Sequence, residues 1–242
     1  MEVVQGREVT ITFDGKRCVH SRNCVLNHPE VFVPNVEGAW IFPDAASAET
    51  VLRIGFECPS GAIRVARNAG GLGSEVPPMV NTVRVRENGP LAFEAVLMVG
   101  GVADASVRAM LCRCGASGNK PWCDGSHVAA GFVATGEPAV KESQGLEARD
   151  GVVEAASKLN GPLRVSGNLE VVSRTGRTVN LGARLFLCGC GQAGNKPYCH
   201  GSHERAGFLA AMGRGWGQAS PVSRGSNGYF VRFTQPVSVI RT

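Results

Sequence analysis

The clearest alternation of apolar and polar positions lies in the second half of the chain. Every second residue from 163 to 171 is apolar or glycine: Leu163, Val165, Gly167, Leu169 and Val171. A period of two is typical of a strand with one buried face, so we predict a strand here. The tripeptide Asn160-Gly161-Pro162 precedes this run and is typical of a tight turn.

The first 78 residues follow a different pattern, which predicts a small unit containing both strands and a helix. Val9–Phe13 and Val31–Val33 are short apolar runs and are predicted strands. Asp44 is predicted to cap a helix that runs to Phe56, because apolar residues recur between them at helical spacing. The glycine- and proline-rich residues 70–78 form a predicted linker. Residues 228–240 are predicted to form β-structure near the end of the chain.

An internal repeat is the strongest organisational signal in the sequence. Residues 111–132, LCRCGASGNKPWCDGSHVAAGF, return as residues 187–208, LCGCGQAGNKPYCHGSHERAGF, at an offset of 76 positions. The NGPL turn at residues 88–91 returns at residues 160–163, an offset of 72 positions. The second copy therefore has additional residues ahead of its first cysteine, which predicts a longer hairpin loop near residues 174–177.

Composition and charge narrow the possible functions. With 43% hydrophobic and 19% charged residues the chain is globular, and its 32 glycines with few aromatics indicate tight turns and small cores. The net charge of +5 comes from scattered lysines and arginines, so we expect no nucleic-acid partner. No stretch approaches the ~20 apolar residues that cross a bilayer, and the first residues lack an apolar signal core. We expect a cytoplasmic protein with no membrane partner.

The nine cysteines fall into three groups of three, at positions 18, 24 and 58, then 112, 114 and 123, then 188, 190 and 199. An odd number of cysteines without a signal peptide argues against a framework of disulfides. In a reducing compartment, grouped cysteines are more often metal ligands. We therefore interpret each group as a candidate metal site.

The two later groups share the spacing C-x-C-x8-C-x3-H. The candidate ligands are Cys112, Cys114, Cys123 and His127 in the first copy and Cys188, Cys190, Cys199 and His203 in the second. Thiolates are soft donors that suit both zinc and iron–sulfur clusters, and imidazole binds either metal. A zinc site with three cysteines and one histidine fits this ligand set equally well. Ligand chemistry alone therefore leaves zinc and iron–sulfur open.

Residues 112–127, CRCGASGNKPWCDGSH, resemble the CDGSH iron–sulfur domain of the mitoNEET-like family over its whole signature. The resemblance implies a 2Fe-2S cluster in each copy, with Cys112 and Cys114 on the inner iron and Cys123 and His127 on the outer one. The second copy would bind its cluster in the same way. Members of this family are β-rich homodimers, so two copies in one chain imply an intramolecular pseudo-dimer, which would allow a monomer.

The second copy departs from the first at two positions within the signature. Ala193 replaces Ser117, and His200 replaces Asp124. Asp124 is a predicted cap for a short helix that ends near Gly131, and Phe132 is predicted to begin a strand. Because His200 removes this cap and a negative charge, we expect the second cluster to differ in potential and lability. His200 itself is interpreted as a surface histidine.

The run Cys18-Val19-His20-Ser21-Arg22-Asn23-Cys24, with Cys58-Pro59 further on, resembles a divergent ferredoxin that binds one cluster. The usual pattern is C-x2-C-x2-C with a distant Cys-Pro, and Ser21 stands here at the middle cysteine position. Three cysteines are enough for a 3Fe-4S cluster. A 4Fe-4S cluster would need a fourth ligand; His20 is the nearest soft donor, and Ser21 or water are weaker candidates.

Together these features predict an α+β protein with three parts: a ferredoxin-like domain at 1–78, a first CDGSH-type module at 79–140 and a second at 141–242. The predicted function is single-electron transfer between an unidentified redox donor and acceptor, without an enzymatic site. The alternative is storage, sensing or transfer of clusters to an apo iron–sulfur acceptor, with histidine-dependent release. A zinc-bearing interaction module is the third hypothesis.

Overall fold

The computed structural model describes residues 1–210 and places them in a mixed α+β fold dominated by sheets. The strands are β1 Glu2–Gln5, β2 Val9–Phe13, β3 Ile63–Arg67, β4 Thr82–Val85, β5 Leu91–Glu94, β6 Val96–Val99, β7 Val102–Ala103, β8 Arg108–Leu111, β9 Val152–Ser157, β10 Leu163–Val172 and β11 Thr178–Leu187. The helices are α1 Asn23–Asn27, α2 Ala48–Glu57, α3 Ser126–Ala129 and α4 Ser202–Arg205, with a 3-10 turn at Pro43–Ala45. The β-structure predicted for residues 228–240 lies outside the described residues.

The N-terminal part is an antiparallel sheet of three strands in the order β1-β2-β3, with α2 packed against it. Helix α2 begins after Ser47, whose hydroxyl accepts a hydrogen bond from the Thr50 N–H at 3.3 Å. Its buried side faces β2 and β3 and includes Val51 and Ile54. These contacts form a separate small core beneath the first cysteine group.

Both repeats contribute to one eight-stranded sheet, in the order β7-β6-β9-β10-β4-β5-β8, with β11 paired along β10. Two parallel strand pairs join the repeats, and these pairs have equivalent registers. Val171 of β10 pairs with Val83 of β4, and Val99 of β6 pairs with Ala155 of β9. These two pairs are related by the 72-residue offset of the leaders. A single buried core runs through both repeats, so neither copy buries its apolar face alone.

Several predicted elements are confirmed. The alternating residues of β10 have their apolar side chains buried, and Gly167, at φ +119°, lies at a bulge in its pairing with β11. The two Asn-Gly-Pro segments form turns, with Asn88 and Asn160 in the left-handed region. The extra residues of the second copy form the loop between β10 and β11, where the Ser173 N–H bonds to the Arg177 carbonyl at 2.8 Å.

Two predictions in the N-terminal part are wrong. Residues 31–33 form a single bridge between Phe32 and Ile41 and no strand, because Pro34 has no N–H with which to extend the ladder. Asp44 does not cap α2, because its carboxylate accepts the Arg7 N–H at 2.8 Å and the helix begins later, after Ser47.

The strand predicted from Phe132 is absent from the described residues. The segment instead bonds to the first Asn-Gly-Pro turn, where Asn88 and Ala134 exchange hydrogen bonds of 2.9 Å. The predicted linker at 70–78 has no helix or strand, but Ser74 in it is buried and donates its N–H to the Val65 carbonyl.

Helices in residues 1–210 all fall short of the length and apolar character that crossing a membrane requires.

Buried ionic contacts attach the N-terminal part to the first repeat. The Arg108 guanidinium, on β8, pairs with Glu75 and donates to the Gly55 and Cys58 carbonyls. Glu75 also accepts the Ser106 hydroxyl at 2.8 Å. Gly61, at φ +64°, packs against the Arg108 carbonyl so closely that a Cβ would lie 2.6 Å from it. The predicted linker thus lies within this packed interface.

We expect Arg108→Met to destabilise the protein by about 3 kcal/mol, because it leaves Glu75 and several buried carbonyls without their donor. Glu75→Gln combined with Arg108→Met should cost less than the sum of the two single changes. Urea unfolding of the four proteins measures this coupling. Strict additivity would contradict the ionic contact. Glu49→Gln, which removes the exposed partner of Arg67, is the matched control and should have little effect.

Candidate metal centres

An isolated antiparallel bridge assembles the ligands of the first CDGSH-type site. Leu111, at the end of β8, pairs with Trp122, so that the Cys112 N–H bonds to the Pro121 carbonyl at 2.8 Å. The Cys123 N–H bonds to the Met110 carbonyl at 2.8 Å in the same way. The bridge therefore holds the Cys-x-Cys pair next to Cys123. In the second copy, the bridge between Leu187 and Tyr198 has the same position.

The donor atoms form close pairs in each copy. The Cys112 and Cys114 Sγ atoms lie 3.6 Å apart, and the Cys123 Sγ lies 3.5 Å from the His127 Nδ1. The corresponding distances in the second copy are 3.8 Å between the Cys188 and Cys190 sulfurs and 3.9 Å between the Cys199 Sγ and the His203 Nδ1. All eight residues predicted from the spacing therefore lie in two equivalent groups, each made of two close pairs.

The arrangement of these donors bears on the choice between zinc and a cluster. Within residues 1–210, no three cysteine, histidine or acidic side chains converge on one point that could hold a single metal ion. A structural zinc needs four ligands around one point. A two-plus-two arrangement instead fits a binuclear group with one metal at each pair. The donors present thus fit an iron–sulfur group.

Backbone N–H groups surround the sulfur atoms. The Ala116 N–H points at the Cys114 Sγ at 3.4 Å, and the Gly125 N–H points at the Cys123 Sγ at 3.5 Å. Gln192 and Gly201 make the same contacts in the second copy. Hydrogen bonds from N–H groups favour the ionised acceptor, so these contacts stabilise thiolates, the form in which cysteine binds metals.

The protonation of the ligands follows from burial and from their mutual contacts. The contact with Cys114 lowers the pKa of the Cys112 thiol to about 6, and the same contact raises the pKa of Cys114, since the pair shares a proton. Burial raises the pKa of Cys123 and of Cys190. Burial also lowers the pKa of His127, which favours the neutral ring, the form of histidine that binds a metal.

Asp124 organises the ligand loop, but not as the helix cap that the sequence predicted. Gly125, at φ +85°, occupies the cap position of α3. Asp124 precedes it and accepts the Ser126 N–H at 3.0 Å and the Gly118 N–H at 2.8 Å. Burial opposes the ionisation of Asp124, but the hydrogen bonds from Ser126 and Gly118 outweigh it and lower the pKa of this carboxyl to about 2.

His200 reproduces the contacts of Asp124 in the second copy. Its Nε2 accepts the Gly194 N–H at 2.6 Å, and its Nδ1 lies 2.9 Å from the Ser202 hydroxyl. The residue is exposed, as the sequence predicted. The substitution therefore keeps the shape of the loop while removing a negative charge beside Cys199.

Sequence reasoning missed Arg113, which has no counterpart in the second copy, where Gly189 stands. Arg113 is 0% exposed and donates to backbone carbonyls, including that of Gly89 at 2.7 Å. Burial lowers its pKa to about 10, although the nearby Cys188, Glu87 and Cys114 oppose that effect. The guanidinium is thus a buried positive charge within electrostatic reach of both sites. The sequence signal for this residue was the difference between LCRC in the first copy and LCGC in the second.

The two sites touch through their Cys-x-Cys-Gly loops. A Cβ at Gly115 would lie 2.8 Å from the Cys190 carbonyl oxygen, and a Cβ at Gly191 would lie 2.3 Å from that of Cys114. Both glycines have positive φ, +85° and +78°. The close approach therefore requires glycine at both positions for two reasons, conformation and space.

Two of the three N-terminal cysteines lie at helix ends, and Cys18 lies in the loop before α1. Cys24 is in α1 and Cys58 ends α2, and both line a small cavity of ≈ 20 Å³ together with Ser21. The Cys58 Sγ accepts the Ile63 N–H at 3.4 Å. Burial raises the pKa of Cys18 and of Cys24, and the charge of Cys58 raises both further. The three sulfurs thus lie within electrostatic reach of one another.

His20 lies nearest to the first cysteine of this group. Its Nδ1 is 4.0 Å from the Cys18 Sγ, and its backbone is in the left-handed region at φ +53°. Arg22, at φ +63°, precedes α1 in the same conformation. A residue other than glycine adopts this conformation at a cost, which the surrounding loop offsets. The loop therefore turns His20 toward the cysteine sulfur.

Comparison with protein-family models identifies both kinds of module. The model described as "Iron-binding zinc finger CDGSH type" matches residues 79–128 and again residues 160–204. The model described as "Divergent 4Fe-4S mono-cluster" matches residues 4–68. The tandem CDGSH copies and the N-terminal cluster domain inferred from the sequence are therefore confirmed, and the first description names iron as the bound metal.

Two curated relatives are similar to part of the chain. Both are the "Uncharacterized protein YjdI", one from Escherichia coli K12 and one from Escherichia coli O157:H7. Each is 35% identical over 60 residues, which cover 24% of this chain and 76% of the relative. No solved structure matches the chain.

We expect Gly191→Ala to destabilise the protein far more than Gly101→Ala. Gly101 also has a positive φ, +82°, but nothing lies within 4 Å of a Cβ there, so its replacement should cost about 1 kcal/mol in backbone conformation alone. At Gly191 the clash with the Cys114 carbonyl should add about 1–3 kcal/mol. Chemical unfolding measures both variants, and equal losses would contradict the close approach.

Proposed function

We propose a function on the premise that this chain belongs to the CDGSH-type iron-binding family and carries a divergent 4Fe-4S mono-cluster domain at its N-terminal end. It is an iron–sulfur protein, and in the proposal it passes single electrons between a donor protein and an acceptor protein. The single observation that carries the proposal is the assembly of three cysteine-rich sites within one packed chain, two of them touching and the third connected to the first repeat through Arg108.

In this proposal each CDGSH module holds one 2Fe-2S cluster. Cys112 and Cys114 bind one iron, and Cys123 and His127 bind the other; Cys188, Cys190, Cys199 and His203 do the same in the second module. The separation of the donors into two close pairs supports this division. When bound, such a cluster takes up or releases one electron, and replacing a thiolate ligand by histidine raises its potential.

The N-terminal module holds a 3Fe-4S or 4Fe-4S cluster on Cys18, Cys24 and Cys58. The matching family description supports four irons, whereas the cysteine count supports three. His20 would be the fourth protein ligand of a four-iron cluster, and its position 4.0 Å from the Cys18 sulfur supports this role. Burial raises the pKa of the Cys18 thiol, and the Ile63 N–H donates a hydrogen bond to the Cys58 sulfur.

The two CDGSH modules form an intramolecular pseudo-dimer in this proposal. The equivalent registers of the β4–β10 and β6–β9 pairs support an approximate two-fold relation between the repeats, as does the reciprocal packing of Gly115 and Gly191. An internal partner would take the place of a second chain, so we propose that the protein acts as a monomer. The proposal assigns it no catalytic group of its own.

The proposed relay is tested by anaerobic reductive titration of the fully loaded protein, followed by visible absorption and electron paramagnetic resonance. We expect each site to accept one electron and all three to exchange electrons within the same molecule. If one site is reduced rapidly and another site never receives an electron from it, the relay is contradicted. Purified protein that binds zinc and is colourless would contradict the cluster assignment.

We expect Arg113→Gln to lower the reduction potentials of the CDGSH sites, because a nearby positive charge favours the more negative reduced state. A unit charge about 10 Å away at an effective dielectric constant of ~20 shifts a potential by tens of millivolts. Spectroelectrochemical titration measures the shift. Arg7→Gln, which removes an exposed positive charge from the N-terminal module, is the matched control. Equal potentials in Arg113→Gln and the unchanged protein would contradict the electrostatic role of Arg113.

A second candidate function is storage, sensing or transfer of clusters to an apo iron–sulfur acceptor. The observation that favours it is the position of His127 and His203 in half-exposed four-residue helices, where solvent reaches the ligand. A proton competes with the metal for the imidazole Nδ1, so a histidine ligand makes metal binding dependent on pH.

We expect acid to release the clusters of the CDGSH sites. Burial lowers the pKa of His127 from its ordinary value of 6.5, so the ring is neutral at neutral pH and metal retention should be lost only at more acidic pH. His127→Cys combined with His203→Cys should remove this acid step, measured as the rate of loss of visible absorbance. His200→Ala should leave it in place. Unchanged acid lability in the double variant would rule out histidine-dependent release.

A further inference from the structure

The N-terminal site and the first CDGSH site are joined by one buried side chain. The guanidinium of Arg17 lies over the ring of Trp122, with its Cζ 4.3 Å from the ring centroid. Asp104 fixes the guanidinium through both carboxylate oxygens, at 2.5 and 3.0 Å, and the Arg108 carbonyl accepts from it at 2.9 Å. The side chains of Arg17 and Asp104 are 7% and 4% exposed, so the ion pair that holds the guanidinium over the half-buried Trp122 ring is itself buried.

Both residues of the stack are covalent neighbours of candidate ligands. Arg17 directly precedes Cys18, and Trp122 directly precedes Cys123. A second contact runs beside the stack, where the Asn119 side-chain amide donates to the Lys16 carbonyl at 2.8 Å. The contact between Arg17 and Trp122 therefore links the two ligand sets by covalent bonds and one packed gap.

The second CDGSH site has no such connection to the N-terminal module in the described part of the chain. Tyr198 occupies the position of Trp122, and its ring is covered by Lys141, whose Nζ lies 3.6 Å from the centroid. Lys141 neighbours no candidate ligand. Arg184, which stands where the first copy has Arg108, is exposed, whereas Arg108 binds the Cys58 carbonyl. The asymmetry between the two copies thus lies at the contact with the N-terminal module.

The contacts between the ligand loops continue from the first site to the second. Cys114 packs against Gly191, and Cys190 packs against Gly115, with no side chain between the two backbones. Contacts made by the ligands or by their sequence neighbours therefore connect the sites in a linear order: N-terminal site, first CDGSH site, second CDGSH site.

We propose that Arg17 and Trp122 form the electronic contact between the N-terminal site and the first CDGSH site, so that electrons move along this linear order. The inference rests on the proposed electron-transfer function. Electron tunnelling slows exponentially with the width of open gaps and proceeds best through bonds and packed atoms. One electron leaves the group held by Cys18, Cys24 and Cys58, which is oxidised, and the group at Cys123 is reduced by that electron. Arg17 and Trp122 undergo no net change and act as positioning residues.

The test uses the fully loaded chain and photoreduction by a deazaflavin with a sacrificial amine, a one-electron donor. After a flash, absorbance and freeze-quenched paramagnetic resonance follow the electron from the N-terminal site to the first CDGSH site. Trp122→Leu should slow this phase severalfold, and Trp122→Tyr should restore it, because Tyr198 shows that the loop accepts tyrosine. Tyr198→Leu makes the matched change in the second copy and should leave this phase unchanged.

Arg17→Lys provides a second variant in case Trp122→Leu does not fold. It keeps a positive charge beside Asp104 but removes the planar guanidinium from the ring, so the same phase should slow. The potentials of the sites, measured in parallel, should stay unchanged in both variants, since a slower phase caused by altered driving force would appear as a shift in potential.

Three results would overturn the inference. The first is an unchanged rate in Trp122→Leu and Arg17→Lys, and the second is an equal slowing by Tyr198→Leu. The third is a change in potential large enough to account for the slower phase. If the unchanged protein shows no electron transfer between the sites, the proposed relay fails and the inference fails with it. Transfer that persists in every variant overturns only the assignment of Arg17 and Trp122.

Discussion

The parallel pairing of strands from the two repeats is the interaction on which the rest of the structure depends. Because β4 pairs with β10 and β6 with β9, each repeat completes the sheet of the other and one core serves both. That shared sheet brings the two Cys-x-Cys-Gly loops together, where only glycine fits at positions 115 and 191. The spacing between the two candidate centres is thus a consequence of the fold and is not set by a flexible linker.

The equivalent strand pairing of the two repeats does not extend to the charges or to the contacts around the sites. Arg113 and Asp124 are confined to the first copy, and Gly189 and His200 replace them in the second. The N-terminal module packs on the first copy through Arg17 and Arg108, while the equivalent surface of the second faces Lys141. The two copies of the duplicated module therefore lie in different environments.

Local signals in the sequence predicted the parts of the structure that local chemistry determines. The spacing of cysteines and histidines predicted eight CDGSH-type candidate donors, which the fold brings into close pairs, and alternation predicted β10, because both patterns depend on neighbours in the chain. Asp44 was misassigned because a distant backbone N–H, that of Arg7, occupies its carboxylate. The contact of Arg17 with Trp122 depends on which surfaces meet in the folded chain, and a single sequence carries no pattern for such a contact. For Arg113 the sequence showed a difference between the two copies, but its burial also depends on the folded chain.

The central claim is that the paired donors hold binuclear iron–sulfur clusters. The most direct measurement is iron, zinc and acid-labile sulfide content in protein purified anaerobically after Cys18, Cys24 and Cys58 have been replaced by serine, so that only the two CDGSH-type sites contribute. The account predicts iron and sulfide in equal amounts, with two of each per site and no zinc. One zinc per site without sulfide would contradict it.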